Sequence, residues 1–155
     1  MRYTSEIMKK EVLIEAYMPL KLKSEAVVRF ADYFIYRCCD HSLLEIVFDE
    51  KDHKVYRINM PICKDCKIIY SNYELPAEFV AGDVQIDGSE DITTDVFFCE
   101  IYQNAVRVVL SNRTVSQRIV ADNLVWELDE NDRLVSLTVY NQPSEVIEHV
   151  LCELT

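Results

Sequence analysis

Apolar and polar residues alternate along most of this chain with the two-residue period of a half-buried β-strand. Val12, Ile14, Ala16, Met18, Leu20 and Leu22 predict one strand, or two, over 11–23, broken at Pro19. Over 24–39, Ser24-Glu25 offers a helix cap. Tyr33-Phe34-Ile35-Tyr36 are β-formers, however, and Ala26, Val28, Phe30, Phe34 and Tyr36 share one strand face, so the stretch reads mainly as strand. Residues 43–48 and 54–60 flank Asp49-Glu50-Lys51-Asp52 as a hairpin, which Pro61 ends. Residues 62–70 and 96–102 read as extended. Gln103-Asn104 is a tight turn before a strand over 105–110, and further strands cover 114–120, 124–128 and 133–140, the last two joined by Asp129-Glu130-Asn131-Asp132.

Helix signals occur in three places. Thr4 or Ser5 caps a short helix over 4–10, and Pro76 starts and Gly82 stops one over 74–82. Pro143-Ser144-Glu145 opens a third, in which Val146, Ile147, Val150, Leu151 and Leu154 recur at helical spacing. Residues 83–95 read as a polar connection. The expected fold is therefore α+β with predominantly antiparallel strands.

The two acidic hairpin turns align at an offset of 80 residues, Phe48–Asp52 against Leu128–Asp132, with Val55 opposite Val135 and a Pro-started helical stretch after each. One domain, 1–155, with a repeat of about 11–82 and 83–155 follows. That layout resembles the Whirly arrangement, two four-stranded sheets each followed by a helix; its DNA-binding members carry a basic surface that this chain lacks. A single curled sheet with helices on one face fits the pattern equally.

A chain of 155 residues can bury roughly 68–70% of its unfolded surface, enough for a real core. Its two glycines exclude the Gly-rich phosphate loops of dinucleotide and P-loop proteins. The N-terminus leads into no apolar signal region and no window approaches the ~18 apolar residues of a membrane span, so a cytoplasmic protein without membrane contact is expected. Its six cysteines are then free thiols. A net charge of −11 argues against nucleic acid as partner.

Charge is distributed unevenly. Residues 68–106 carry Glu74, Glu78, Asp83, Asp87, Glu90, Asp91, Asp95 and Glu100 without one Lys or Arg. Such a window sets up a negative field toward a basic partner. Tyr73 and Phe79 are interleaved with the acids and supply aromatic anchors of the kind an interface uses. The expected partner-binding residues are Tyr73, Glu74, Glu78, Phe79, Asp83, Asp87, Glu90, Asp91 and Asp95.

Catalytic signatures are absent. Cys63-Lys64-Asp65-Cys66 is a CxxC, and Cys38-Cys39 would complete four thiolates for zinc. Adjacent cysteines on a strand point to opposite faces, and Cys66 runs into the strand-like Lys67–Tyr70 rather than a helix, which weighs against zinc and thioredoxin-like chemistry. His41, His53 and His149 read as exposed or capping residues, and no cofactor or metal is expected.

In size, acidity, lack of catalytic motifs and the acidic run Glu74–Glu100, the chain is similar to immunity proteins of contact-dependent growth-inhibition systems. That resemblance implies a non-enzymatic protein, monomer or weak dimer, that covers the active site or substrate surface of a basic toxin domain, often a nuclease. The alternatives are a small thiol or zinc enzyme on Cys38, Cys39, Cys63 and Cys66, and a regulatory ligand-binding domain.

Overall fold

Two five-strand units with the same strand order carry the architecture. The computed structural model describes residues 1–154. In the first unit, β2 (Glu11–Val12), β3 (Leu20–Lys23), β4 (Ala31–Cys38), β5 (Leu43–Asp49) and β6 (Val55–Ile62) form an antiparallel sheet in the order β4-β5-β6-β3-β2. In the second, β11 (Phe98–Ile101), β12 (Val106–Val109), β13 (Gln117–Ala121), β14 (Leu124–Leu128) and β15 (Leu134–Val139) take the matching order β13-β14-β15-β12-β11.

The chain between the units completes both sheets. β7 (Cys66–Ile68) lies parallel to β11 and β8 (Val80–Ala81) parallel to β13, giving seven strands; β10 (Glu90–Thr94) lies parallel to β4, giving six. β9 (Asp83–Gln85) pairs with β1 (Arg2–Thr4) as a separate ribbon. At this crossing Gly82 leaves room for β1: a Cβ there would sit 2.6 Å from the Thr4 carbonyl oxygen. α1 (Ser144–Leu154) is the one helix among the described residues. It buries Val146, Ile147 and Val150, and its His149 Nε2 lies 2.9 Å from the Met18 carbonyl oxygen. None of the described helices is long and apolar enough to cross a membrane.

One core fills the space between the sheets. Leu22, Phe34, Leu44, Ile46, Phe48, Ile58 and Met60 meet Cys99, Val108, Ile119, Leu128 and Leu137 around Trp126, which is fully buried. These are alternate residues of their strands, as a single buried face requires.

Three expectations are corrected. Residues 4–10 form no helix: β1 joins β9, and the chain then drops Met8 N–H onto Asp83. Residues 83–95 are not a simple connection but hold β9 and β10, and Val84, Ile86 and Ile92 pack inward among polar neighbours that hid the alternation. Residues 74–82, where the Whirly-like layout puts its first helix, form no helix: they run as irregular chain with a bend at 77–78 into β8. The physical reason is span. β7 and β8 are the opposite edges of a seven-stranded sheet, and six strand spacings are about 29 Å. The connecting residues 69–79 reach that distance extended at about 3.3 Å each and fall far short as a helix at about 1.5 Å each. Proline at 76 suits the extended strap.

Both hairpin turns are organised by a buried aspartate. Asp49 Oδ1 accepts from Lys51 and Asp52 N–H, while Oδ2 accepts from Arg29 and Phe30 N–H on the chain that crosses from β3 to β4. Asp129 Oδ1 accepts from Asn131 and Arg133 N–H, while Oδ2 takes the Arg113 guanidinium, 2.5 Å away, on the chain that crosses from β12 to β13. Burial opposes both negative charges. The N–H groups of Lys51, Phe30, Asp52 and Arg29 outweigh it for Asp49, those of Arg133 and Asn131 with Arg113 do so for Asp129, and both carboxyls are held below their usual range.

A depressed folded pKa gives stability that is present above the unfolded value of about 3.9 and is lost as pH falls through the folded value. Urea unfolding midpoints should therefore drop steeply below about pH 4, and Asp129→Asn should flatten that drop. Asp129→Ala, which orphans two N–H groups and Arg113, should cost about 2 kcal/mol at pH 7, read from the same titrations.

Candidate functional site

The acidic window separates into two halves once folded. Asp83 is buried, accepts Met8 N–H at 3.0 Å and faces Lys10 Nζ at 3.9 Å; burial lowers the Lys10 pKa against the pull of Asp83. Asp87 pairs with Arg2 at 2.9 Å, Asp91 with Arg37 at 2.8 Å and Glu100 with Arg107 at 2.5 Å. The window thus borrows bases from both flanking units. Glu74, Glu78, Glu90 and Asp95 pair with no base among the described residues, and all four are exposed.

Those four unpaired acids border two hollows. Glu90 and Asp95 line a cavity of about 740 Å³ between the sheets. Strand register aims Glu90 and Ile92 to the same side as their partners Phe34 and Tyr36, which puts an apolar floor of Phe34, Ile92, Leu110 and Leu134 beneath a polar rim. Arg113, Asp132 and Arg133 complete the rim. Burial, aided by the Glu90 charge, raises the Tyr36 phenol and keeps it neutral.

The second hollow, of about 490 Å³, lies on the outer face of the seven-stranded sheet beneath the 69–79 strap, with Glu74 and Glu78 at its edge. Tyr73 anchors the strap. Its N–H donates to Asn104 Oδ1 at 2.8 Å, and its ring meets Tyr102 and Tyr140 at 5.4 and 6.3 Å between centroids. Under it, Glu127 accepts from Ser136 Oγ at 2.7 Å and Arg118 Nε at 3.0 Å, with Arg107 Nη2 at 3.4 Å. Burial works against the Arg107 charge, but Glu100 and Glu127 outweigh it. Burial, with Glu127 and Glu100 alongside, pushes the Tyr73 and Tyr102 phenols up. Phe79 is 45% exposed beside β8.

Neither hollow is lined by a histidine, cysteine or lysine. His53 Nδ1 lies 3.1 Å from the Ile86 carbonyl oxygen, and His41 occupies a left-handed turn position with φ 74°. Of the four thiols considered for zinc, Cys63 is buried, Cys38 and Cys66 are half-buried and Cys39 is exposed. No group of three or more His, Cys, Asp or Glu able to hold a metal occurs among the described residues.

Sequence reasoning also missed Arg107, Arg118 and Glu127. Their signal was a single charge inside an otherwise strongly apolar strand, the mark of a sheet face covered by something polar. The sequence matches no protein-family model and no curated protein.

Glu127 is the hub of the outer face. Glu127→Ala strands the Arg118 guanidinium and the Ser136 hydroxyl and leaves Arg107 to Glu100 alone; since both arginines keep some contact with solvent, the loss should be about 2 kcal/mol, measured by chemical denaturation, whereas Glu74→Ala on the exposed strap should cost under about 0.5 kcal/mol.

Proposed function

We propose that this chain is a non-catalytic binding protein of the immunity type, which neutralises a basic toxin domain in the cytoplasm by laying an acidic face over the toxin's active site or substrate surface. The observation that carries this reading is the split of the acidic window. Asp87 and Asp91 are compensated within the chain, whereas Glu74, Glu78, Glu90 and Asp95 are exposed and form no ion pair among the described residues. An uncompensated carboxylate accelerates encounter with a basic surface and pairs with Lys or Arg on docking. Tyr73 and Phe79, on the same strap as Glu74 and Glu78, supply contact area. Asp83 contributes by holding the strap's exit in place rather than by touching the partner.

The matched strand orders support a duplication of one five-strand unit, the core of a Whirly-like layout in which β7 and the strap replace the first helix. A second reading rests on the inter-sheet cavity, whose volume lies in the range of small-ligand sites: a regulatory domain taking a small cationic ligand over Glu90. Thermal-shift screening with such ligands, repeated on Glu90→Gln, tests it.

For the principal reading, tagged protein should retain one stoichiometric basic protein that high salt releases. Neutralising Glu74, Glu78, Glu90 and Asp95 together should weaken that complex by about 10- to 100-fold, and neutralising Asp87 and Asp91 by less than about threefold. Equal losses in the two variants, or no basic partner at all, reject the reading.

A further inference from the structure

The two units share a strand order but differ at one place on their outer faces. In the second unit Glu127 of β14 stands opposite Arg118 of β13 and Ser136 of β15. The matching place in the first unit is Val47 of β5, opposite Tyr33 of β4 and Arg57 of β6, and Arg57 in turn stands opposite Lys23 of β3. This is the face turned away from the core, since Ile46, Ile58 and Leu22, the next residues along the same strands, are core residues. In the neighbouring row Asn59 and Lys21 take the places of Thr138 and Arg107. The first unit thus keeps bases here and has valine where the second has the carboxylate that gathers them.

The side chains show the consequence. Lys21 pairs with Glu15 and Arg37 with Asp91, each at 2.8 Å, and Asn59 Nδ2 donates to Glu45 at 3.0 Å. Arg57 and Lys23 form no ion pair among the described residues, and Glu11, opposite Lys23 in β2, stays out of reach. Arg57 Nε and Asn59 Oδ1 are buried and have no hydrogen-bond partner. Like charges opposite each other on neighbouring strands repel, and a buried polar atom without a partner costs free energy. Tyr33 and Lys23, at the two ends of the Arg57 row, are both exposed, so the row is open to a ligand.

We propose that this face binds an acidic segment of a protein partner, whose carboxylate sits against Arg57 and Lys23 in the role that Glu127 plays in the second unit. The chain supplies its own precedent for the occupant, because on the other sheet the strap carrying Tyr73 lies over the matching positions Arg107, Arg118 and Glu127. A peptide segment also brings both groups the face is short of: a carboxylate for the guanidinium and ammonium, and a backbone N–H for the Asn59 oxygen. Glu11, Glu45 and Asp91 share the face, which admits a single carboxylate and repels a run of phosphates. The surface is separate from the strap and from the inter-sheet cavity, and it does not depend on the basic partner proposed above.

The test is titration of the folded protein, by calorimetry and amide NMR, with a capped pentapeptide holding one glutamate between valines and with its glutamine counterpart. The glutamate peptide should bind saturably, about five- to tenfold more tightly than the other, and should shift the amides of β3 and β6. Arg57→Met keeps an unbranched side chain over Val47. It should abolish the preference and leave the melting temperature equal or higher, because it removes an unsatisfied buried group; an arginine needed by the fold would lower it. Lys23→Gln should reduce the preference about threefold and decides the matter where Arg57→Met does not fold, while Lys67→Gln, at an exposed lysine of the other sheet, should change nothing. Equal binding of the two peptides, a preference that survives the Arg57 and Lys23 substitutions, or succinate or inorganic phosphate binding as tightly as the glutamate peptide overturns the proposal.

Discussion

Each unit of this fold hangs on one buried carboxylate at the tip of its central hairpin. A chain that leaves β3 must pass around the β5–β6 hairpin before it can become β4, and the chain leaving β12 must pass around β14–β15 in the same way. Asp49 and Asp129 hold both the turn and the passing chain, one oxygen to each. A residue that only capped its turn would tolerate Asn or Ser. Here the second oxygen fixes the crossover as well, and the negative charge is what lets a single side chain satisfy so many donors in a buried place. Asp129 recruits a guanidinium where Asp49 recruits two backbone N–H groups, so the two halves reach one geometry by different chemistry.

The same economy of charge shapes the surface. Acids at Asp83, Asp87 and Asp91 draw their counter-charges from Lys10, Arg2 and Arg37, residues remote in sequence, and so stitch the inter-unit segment to residues 2–10 and to β4 of the first unit. Exposed pairs of this kind each contribute little free energy; their larger effect is to decide which carboxylates still face the solvent uncompensated. On the other sheet, Glu127 gathers Arg107, Arg118 and Ser136 into one network that answers its buried charge under the strap.

Elements whose pattern and position agree were legible in the sequence: both acidic hairpins, the alternation around Phe34 and Tyr36, the Gln103-Asn104 turn and the final helix from Pro143. Residues 74–82 were not, because Pro and Gly at helix-like places describe local preference, while the distance between β7 and β8 is a property of the whole sheet. The strand at 90–94 was masked by the same acids that drew attention to it, since only Ile92 marks its inward face. For the candidate site, the sequence marked the acidic segment but not which of its carboxylates would be paired. It could not tell Asp91, paired with Arg37, from Glu90 next to it, because pairing partners are set by register: Glu90 faces inward beside Phe34 while Asp91 faces outward.

The segment between the two units explains why both hollows exist. A plain duplication would leave each sheet with a free edge at the first strand of its meander, and exposed edges invite association. Residues 63–95 cover both edges, β10 on β4 and β8 on β13, and reaching both forces the chain to cross one sheet and then leave it. Crossing creates the strap and the groove over Glu127. Leaving brings Glu90 and Asp95 to the gap between the sheets, where the strand that closes the edge is too polar to fill the core. On the function proposed above, edge protection and partner recognition are two consequences of one insertion, and its acidity serves both, because an acidic edge strand is repelled by its own kind and attracted to a basic surface.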